Sequence, residues 1–259
     1  MNSYALITGA SKGIGRAMAF SLARRNYNLL LVARSENELN MLKDLLAEKF
    51  KVIVEVLAID LAGQGAAFKV ADWVKSNSFP VSVLINNAGY GLWGSFGDLN
   101  LDQQINMIQL NINTLVELTY HILPVLKNQK RSYILNVSST AAYQAVPTLA
   151  LYAASKTFVL SFTRALRYEL KSSPVSVTCL CPGPVDTGFA ERAGLNALSK
   201  MAQAFNMKPE EVAEIAIKGM LKGKAEIIPG VTNIISAFAT RLLPKSIIEN
   251  AAAGIYKLQ

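Results

Sequence analysis

Tyr152 and Lys156 stand four residues apart in the run Tyr152-Ala153-Ala154-Ser155-Lys156, and Ser139 precedes the tyrosine by thirteen. Side chains at i and i+4 share a helix face, so an ammonium would lie beside a phenol. An unassisted tyrosine has a pKa of about 10 and exchanges protons poorly near neutrality. A fixed positive charge favours the phenolate and brings that pKa toward working pH, as general acid–base catalysis requires. A Tyr-x-x-x-Lys pair on its own is ordinarily solvated helix surface. Its weight here comes from the start of the chain, which reads Thr8-Gly9-Ala10-Ser11-Lys12-Gly13-Ile14-Gly15.

Residues 4–8 form a short apolar run ending directly in those glycines, and residues 14–25 carry apolar side chains at helical spacing. Strand, tight turn and helix in that order are the context of a dinucleotide fingerprint, although a glycine-rich surface loop has the same composition. Gly9 can take backbone angles that a Cβ forbids, and Gly13 and Gly15 let main chain approach a pyrophosphate closely. The helix N-terminus adds free N–H groups and a partial positive charge. Further apolar runs at 28–33, 52–59, 81–85, 133–137, 175–180 and 225–228 alternate with helical patterns. The alternation predicts an α/β, Rossmann-type doubly wound fold, with a parallel sheet of about seven strands and helices on both faces. Thr8, Arg34, Asp60, Asn86, Ser138–Ser139 and Pro182–Gly183 fall at the carboxyl ends of those strands, where such sheets bind ligands. Ser35-Glu36-Asn37-Glu38 reads as a capping box, and Pro209-Glu210-Glu211 as the first turn of a late helix that Gly223 ends.

Hydrophobic content of 51% with 17% charged residues indicates a buried core rather than disorder, and no linker, repeat or charge block divides the 259 residues. One domain over 1–259 is expected. The only cysteines, Cys179 and Cys181, read as reduced, buried thiols, and the single His121 is an ordinary helix residue that excludes a His-rich metal site. No metal is expected. Met1 to Ser3 leads straight into the first strand without a signal peptide, the pattern of a cytoplasmic protein. The apolar stretch 227–240 holds Pro229 and Gly230 and is too short to span a bilayer. A net charge of +8 favours anionic ligands, and without a clustered Lys/Arg tract nucleic acid is discounted.

The Gly-x-x-x-Gly-x-Gly spacing, Asn86-Asn87-Ala88-Gly89 after the fourth strand, and the Tyr152/Lys156 pair together resemble the short-chain dehydrogenase/reductase family, in its shorter oxidoreductase branch. The resemblance runs from about residue 4 to 228. It implies reversible reduction of a carbonyl to a secondary alcohol, with Tyr152 as general acid and Ser139 holding the substrate oxygen. Lys156 would lower the tyrosine pKa and hydrogen-bond the nicotinamide ribose; Ser138 is the weaker serine. An asparagine that supports a proton-relay water completes the set. Asn111 and Asn113 are both candidates, and the family's spacing to a helix proline, here Pro124, selects Asn111. Cofactor contacts are implied at Gly9, Ser11, Lys12, Gly13, Ile14, Gly15, Asn87, Gly89, Pro182 and Gly183, with Thr187 at the carboxamide. Asp60 would bind the adenine amino group or, alternatively, cap the next helix. Ala142 departs from the glycine common after the serine pair.

Strand 28–33 ends in Arg34-Ser35 rather than an acid, and Arg34 with Lys12 favours a ribose 2′-phosphate. NADP(H) is therefore expected over NAD(H). Tyr90, Leu92, Trp93, Tyr143 and Val146 are the expected pocket walls. Phe189, Leu195, Leu198, Met201 and Phe205 make residues 187–208 an apolar lid, suiting a hydrophobic ketone or a 3-oxoacyl thioester. A catalytically silent NADPH-binding regulatory or scaffold protein is the rival reading. A homodimer or homotetramer is a family expectation. Residues 234–243 and 247–255, in a helical extension over 231–259, would suit peripheral contact with a membrane, and packing or a subunit contact explains them equally.

Overall fold

The computed structural model describes residues 3–189, 193 and 207–255. Seven strands form one sheet in the order β3-β2-β1-β4-β5-β6-β7, every neighbouring pair parallel. Three strands lie on one side of the first crossover: β1 (Tyr4–Thr8), β2 (Asn28–Ala33) and β3 (Val54–Ala58). On the other lie β4 (Val81–Asn86), β5 (Ser132–Val137), β6 (Val175–Leu180) and the two-residue β7 (Glu226–Ile227). The strand order reverses between β1 and β4, so the carboxyl ends of these two strands open the crevice where a ligand fits.

β2, β4 and β5 are buried along their whole lengths, as expected of strands covered on both faces. Alternation along β2 sends Leu29 and Leu31 into one layer and Leu30 and Val32 into the other. The first layer contains α1 (Gly13–Ala23), α2 (Glu36–Phe50) and α7 (Pro209–Leu221); the second contains α3 (Ala66–Ser76), α5 (Thr114–Lys127) and α6 (Ala150–Glu169). α4 (Leu101–Ile108) runs into α5 through a π-helical turn, Gln109–Asn113. α8 (Val231–Leu242) and α9 (Lys245–Ile255) close the described chain.

Four buried polar groups cross the centre of the second layer. Asn86 Nδ2 donates to Thr119 Oγ1 at 2.9 Å and to Asn136 Oδ1 at 2.8 Å, and Asn136 Nδ2 donates to Thr163 Oγ1 at 3.0 Å. Asn86 and Asn136 are register partners in β4 and β5. A one-residue slip would strand these amides in the core, at about 1–3 kcal/mol for each unsatisfied group. The network therefore holds the ends of β4 and β5 level, and those ends carry site residues.

Two local expectations change. Ser35 caps α2 with backbone only: no side-chain bond is made, and Glu38 turns away to pair with Lys12 at 2.8 Å. The ion pair takes the carboxylate that a capping box would have used. Asp60 accepts from the Ala62 N–H at 3.1 Å, while Gly65 is the N-cap of α3. Asp60 thus shapes the loop after β3 and does not cap the helix.

α7 is fastened to α1 by Glu214, which accepts from Ser21 Oγ at 2.8 Å and pairs with Arg25. Arg25 first, then the Ser21 hydroxyl and Lys218, hold the Glu214 carboxyl down to about 2 from its ordinary 4.5. A depressed folded-state pKa gives stability that is present above the unfolded value and lost as pH falls through the folded one. Screening limits this partly exposed pair to about 1 kcal/mol. Glu214→Gln should lower the urea midpoint at neutral pH, and the gap to wild type should close between pH 4.5 and pH 2.

Candidate active site

α6 places Tyr152, Ser155 and Lys156 on its buried side, facing the end of β5. Lys156 Nζ donates to the Val137 carbonyl at 3.0 Å and lies 5.8 Å from the centroid of the Tyr152 ring. Burial pushes the lysine down to about 8 from 10.5, partly opposed by the nearby Cys179 and Cys181 sulfurs. The ammonium therefore titrates near working pH, held by one carbonyl beside the phenol ring. The two serines after β5 separate in role. Ser138 Oγ donates to the Lys156 carbonyl at 2.7 Å, tying strand to helix. Ser139 opens the 3-10 turn Thr140–Tyr143, and its Oγ accepts from the Ala141 N–H at 3.1 Å.

The π-turn carries the asparagine. Asn111 is 1% exposed; its Oδ1 accepts from the Tyr90 N–H at 3.1 Å, and its Nδ2 donates to the Tyr90 carbonyl at 3.0 Å and to Ser155 Oγ at 3.1 Å. Ser155 Oγ in turn donates to the Tyr152 carbonyl at 2.7 Å. Asn113 points outward, donating to Gln109 Oε1 at 2.7 Å. Of the two candidates, only Asn111 enters the cluster. A π-turn inside an otherwise α-helical run is a frequent mark of a functional position.

The loop after β4 passes over this helix with glycines where nothing larger fits. A Cβ on Gly89 would stand 2.9 Å from Asn111 Oδ1 and 3.3 Å from Lys156 Nζ; one on Gly91 would stand 3.2 Å from Tyr152 Cδ2. Asn111, Lys156 and Gly89 thus meet at one point, and Tyr152 adjoins it.

Across the crevice lies the glycine turn. Gly9 has φ +64° and Gly13 φ +54°, the left-handed region that favours glycine. A Cβ on Gly15 would lie 2.5 Å from Asn87 Nδ2, which donates to the Thr8 and Gly9 carbonyls at 2.9 and 3.2 Å. Asn87 therefore braces the turn. Lys12, the N-cap of α1, provides no side-chain cap, and no acid lies in the first turn, so the helix start suits an anion. Ser11 and Ile14 lie in this turn, half-buried. Thr187 covers it, since a Cβ on Gly13 would meet the Thr187 side chain at 2.9 Å. Arg34 is exposed directly after β2, and Lys12 and Glu38 pair between the starts of α1 and α2.

The Pro182 carbonyl accepts from the Thr140 N–H at 2.9 Å, joining the loop after β6 to the Ser139 turn. Gly183 leaves room for Asn233 of α8, whose side-chain amide an added Cβ would strike. Asn233 has no motif signal, lying fifty residues on, whereas Ser155 sat inside the Tyr-x-x-x-Lys motif.

On the substrate side Tyr152 packs with Met107, Val146, Leu149 and Ala153, flanked by Tyr90, Leu92, Trp93 and Phe189. The Phe189 ring lies 5.5 Å from the Tyr152 ring. Tyr143 is not part of this wall. Its ring packs with Leu160, Cys179 and Cys181, and its hydroxyl donates to Glu226 at 2.7 Å. Leu195, Leu198, Met201 and Phe205 lie outside the described residues. Cys179 and Cys181 are buried and free, with sulfurs 3.7 Å apart. Among the described residues no cluster could hold a metal ion, and no helix is long and apolar enough to cross a membrane.

The family model described as short chain dehydrogenase matches residues 3–198. The chain is 30% identical to the human very-long-chain 3-oxoacyl-CoA reductase, over 99% of this chain and 78% of the relative. It is likewise 30% identical to human 17-beta-hydroxysteroid dehydrogenase type 3, over 92% and 77%. Among solved structures, a short-chain dehydrogenase from Sphingobium yanoikuyae in complex with NADPH superposes with a TM-score of 0.82 at 27% identity, covering 99% of this chain and 96% of that one.

Proposed function

The chain belongs to the short-chain dehydrogenase family of oxidoreductases that act on CH–OH groups, and from that premise we propose an NADP(H)-dependent reductase of hydrophobic carbonyl substrates. The meeting of Asn111 and Lys156 at Gly89, with Tyr152 adjoining at Gly91, carries the reading. When bound, reduced nicotinamide supplies a hydride to the carbonyl carbon. Tyr152 delivers the proton to the carbonyl oxygen, Ser139 donates a hydrogen bond to that oxygen, and the Lys156 ammonium favours the phenolate left behind. Asn111 holds the Tyr90 backbone and, through Ser155, the first turn of α6, so that the tyrosine is presented in one position.

The glycine turn fits a dinucleotide pyrophosphate, because it leads into a helix start with no side-chain cap and no acid in its first turn, and because its three glycines let the turn pack closely against Asn87 and Thr187. Asn87 braces the turn and Thr187 closes over it, while Asp60, in the loop after β3, is assigned the adenine end of the cofactor. The apolar wall of Leu92, Trp93, Val146 and Phe189 suits a hydrophobic ketone or a 3-oxoacyl thioester. A silent NADPH-binding scaffold is disfavoured by retention of both Tyr152 and Lys156. Buried free thiols suit a reducing compartment, and we place the enzyme in the cytoplasm as a homodimer or homotetramer. Incubation with NADPH and a panel of apolar ketones and 3-oxoacyl thioesters tests the reading. Bound cofactor without turnover of any carbonyl would overturn it.

NADP(H) is favoured because the residue directly after β2 is an exposed cation, Arg34, rather than an acid, and because Glu38, the nearby acid of α2, is paired by Lys12. Arg34→Asp should raise the KM for NADPH by about ten- to a hundredfold, the loss of one charge-assisted contact, and change that for NADH by less than about threefold. Wild-type preference for NADH at low salt would reverse the assignment.

A further inference from the structure

α8 and α9 together bear two apolar faces. The inner one, with Ala237, Ile248 and Ala252, is buried. The outer one is open: Val231 is 72% exposed, Ile235 63%, Phe238 57% and Leu242 70%, joined by Leu243 and Ile247 at the turn between the helices. Spacing of three, four and seven residues puts the α8 members on one stripe, and monomers rarely leave a patch of this kind uncovered. α8 is twelve residues long, too short to span a bilayer but suited to lie along its surface.

We propose that this outer face docks on an anionic lipid surface, setting the mouth of the site toward the membrane. Charge selects that occupant over a second copy of the chain. Lys245 is exposed at the turn between the two helices. In sequence the segment 231–259 sets Arg241, Lys245 and Lys257 against the single acid Glu249, and the whole chain has a net charge of +8. Two copies meeting here would bring like-charged segments together, whereas an anionic leaflet attracts them. The helix that bears the stripe also reaches the site from its opposite side: Asn233, in the first turn of α8, fills the space beside Gly183 in the loop after β6. An apolar substrate dissolved in the bilayer would reach the pocket wall along that edge.

Flotation of the full chain with vesicles tests the proposal, using phosphatidylcholine alone and an equimolar mixture with phosphatidylglycerol. Wild-type protein should float with the mixed vesicles and less with the neutral ones, and binding should weaken as salt rises. The double variant Ile235→Glu/Phe238→Glu should lose binding by about tenfold or more while keeping its circular dichroism and its rate on a water-soluble ketone. A gentler pair, Ile235→Ser/Phe238→Ser, should fall between the two. Equal flotation of all variants, or none by wild type, overturns the proposal. So does a wild-type dimer that the double variant dissociates while neither binds vesicles. Because flotation needs no turnover, failure here leaves the reductase reading standing, and loss of that reading leaves flotation unchanged.

Discussion

Tyr152→Phe should retain the fold and NADPH affinity and lose turnover by about two to four orders of magnitude, the usual contribution of a general acid. Only the hydroxyl is removed. The ring keeps its contacts with Met107, Val146 and Leu149 and its neighbour Phe189, so the core around it stays filled. kcat should carry the loss, with the NADPH dissociation constant unchanged within about twofold, because the interaction removed acts in the transition state. Stopped-flow turnover and fluorescence titration of NADPH measure the two quantities separately. A rate near that of wild type would remove Tyr152 from the chemistry.

Lys156→Met should weaken NADPH binding and turnover together, each by about tenfold or more, since one ammonium is assigned both the ribose and the phenolate. The pH profile distinguishes that role from packing. The buried ammonium titrates at about 8 in the free protein, so it is charged below that pH and neutral above it. NADPH affinity of wild type should therefore hold steady below pH 8 and fall as pH rises through it, by up to about tenfold per unit. The Lys156→Met protein should show a flat profile over the same window. A packing role would lower affinity in the variant without removing the slope.

The fold was legible because its signals are local and repeated. The runs at 4–8, 28–33 and 175–180 coincide with β1, β2 and β6, since a strand covered on both faces is dominated by apolar residues. Asn111 was separable from Asn113 only by a family spacing; in the structure the π-turn aims one inward and the other at solvent. Pairings between distant segments were not legible. Ser35-Glu36-Asn37-Glu38 has the composition of a capping box, yet Lys12 from the other helix claims Glu38. Tyr143 was an expected pocket wall, but at the end of the 3-10 turn its hydroxyl bonds Glu226 instead. Asn233 at Gly183 depends on how α8 returns to the sheet, which no short motif encodes.

The π-turn also makes chain length a functional variable. Met107 and Leu115 both face the interior, yet they stand eight positions apart. In an unbroken α-helix that separation would leave them about 80° apart around the axis. The wider turn at Gln109–Asn113 absorbs about one residue step and brings both onto one side. Deleting a single residue there would rotate α4 against α5 by about 100° and force a choice between burying Met107 and aiming Asn111. Surface loops of this chain can lengthen or shorten at small cost. These five positions cannot, because here the count of residues, as much as their identity, sets the direction in which the asparagine points.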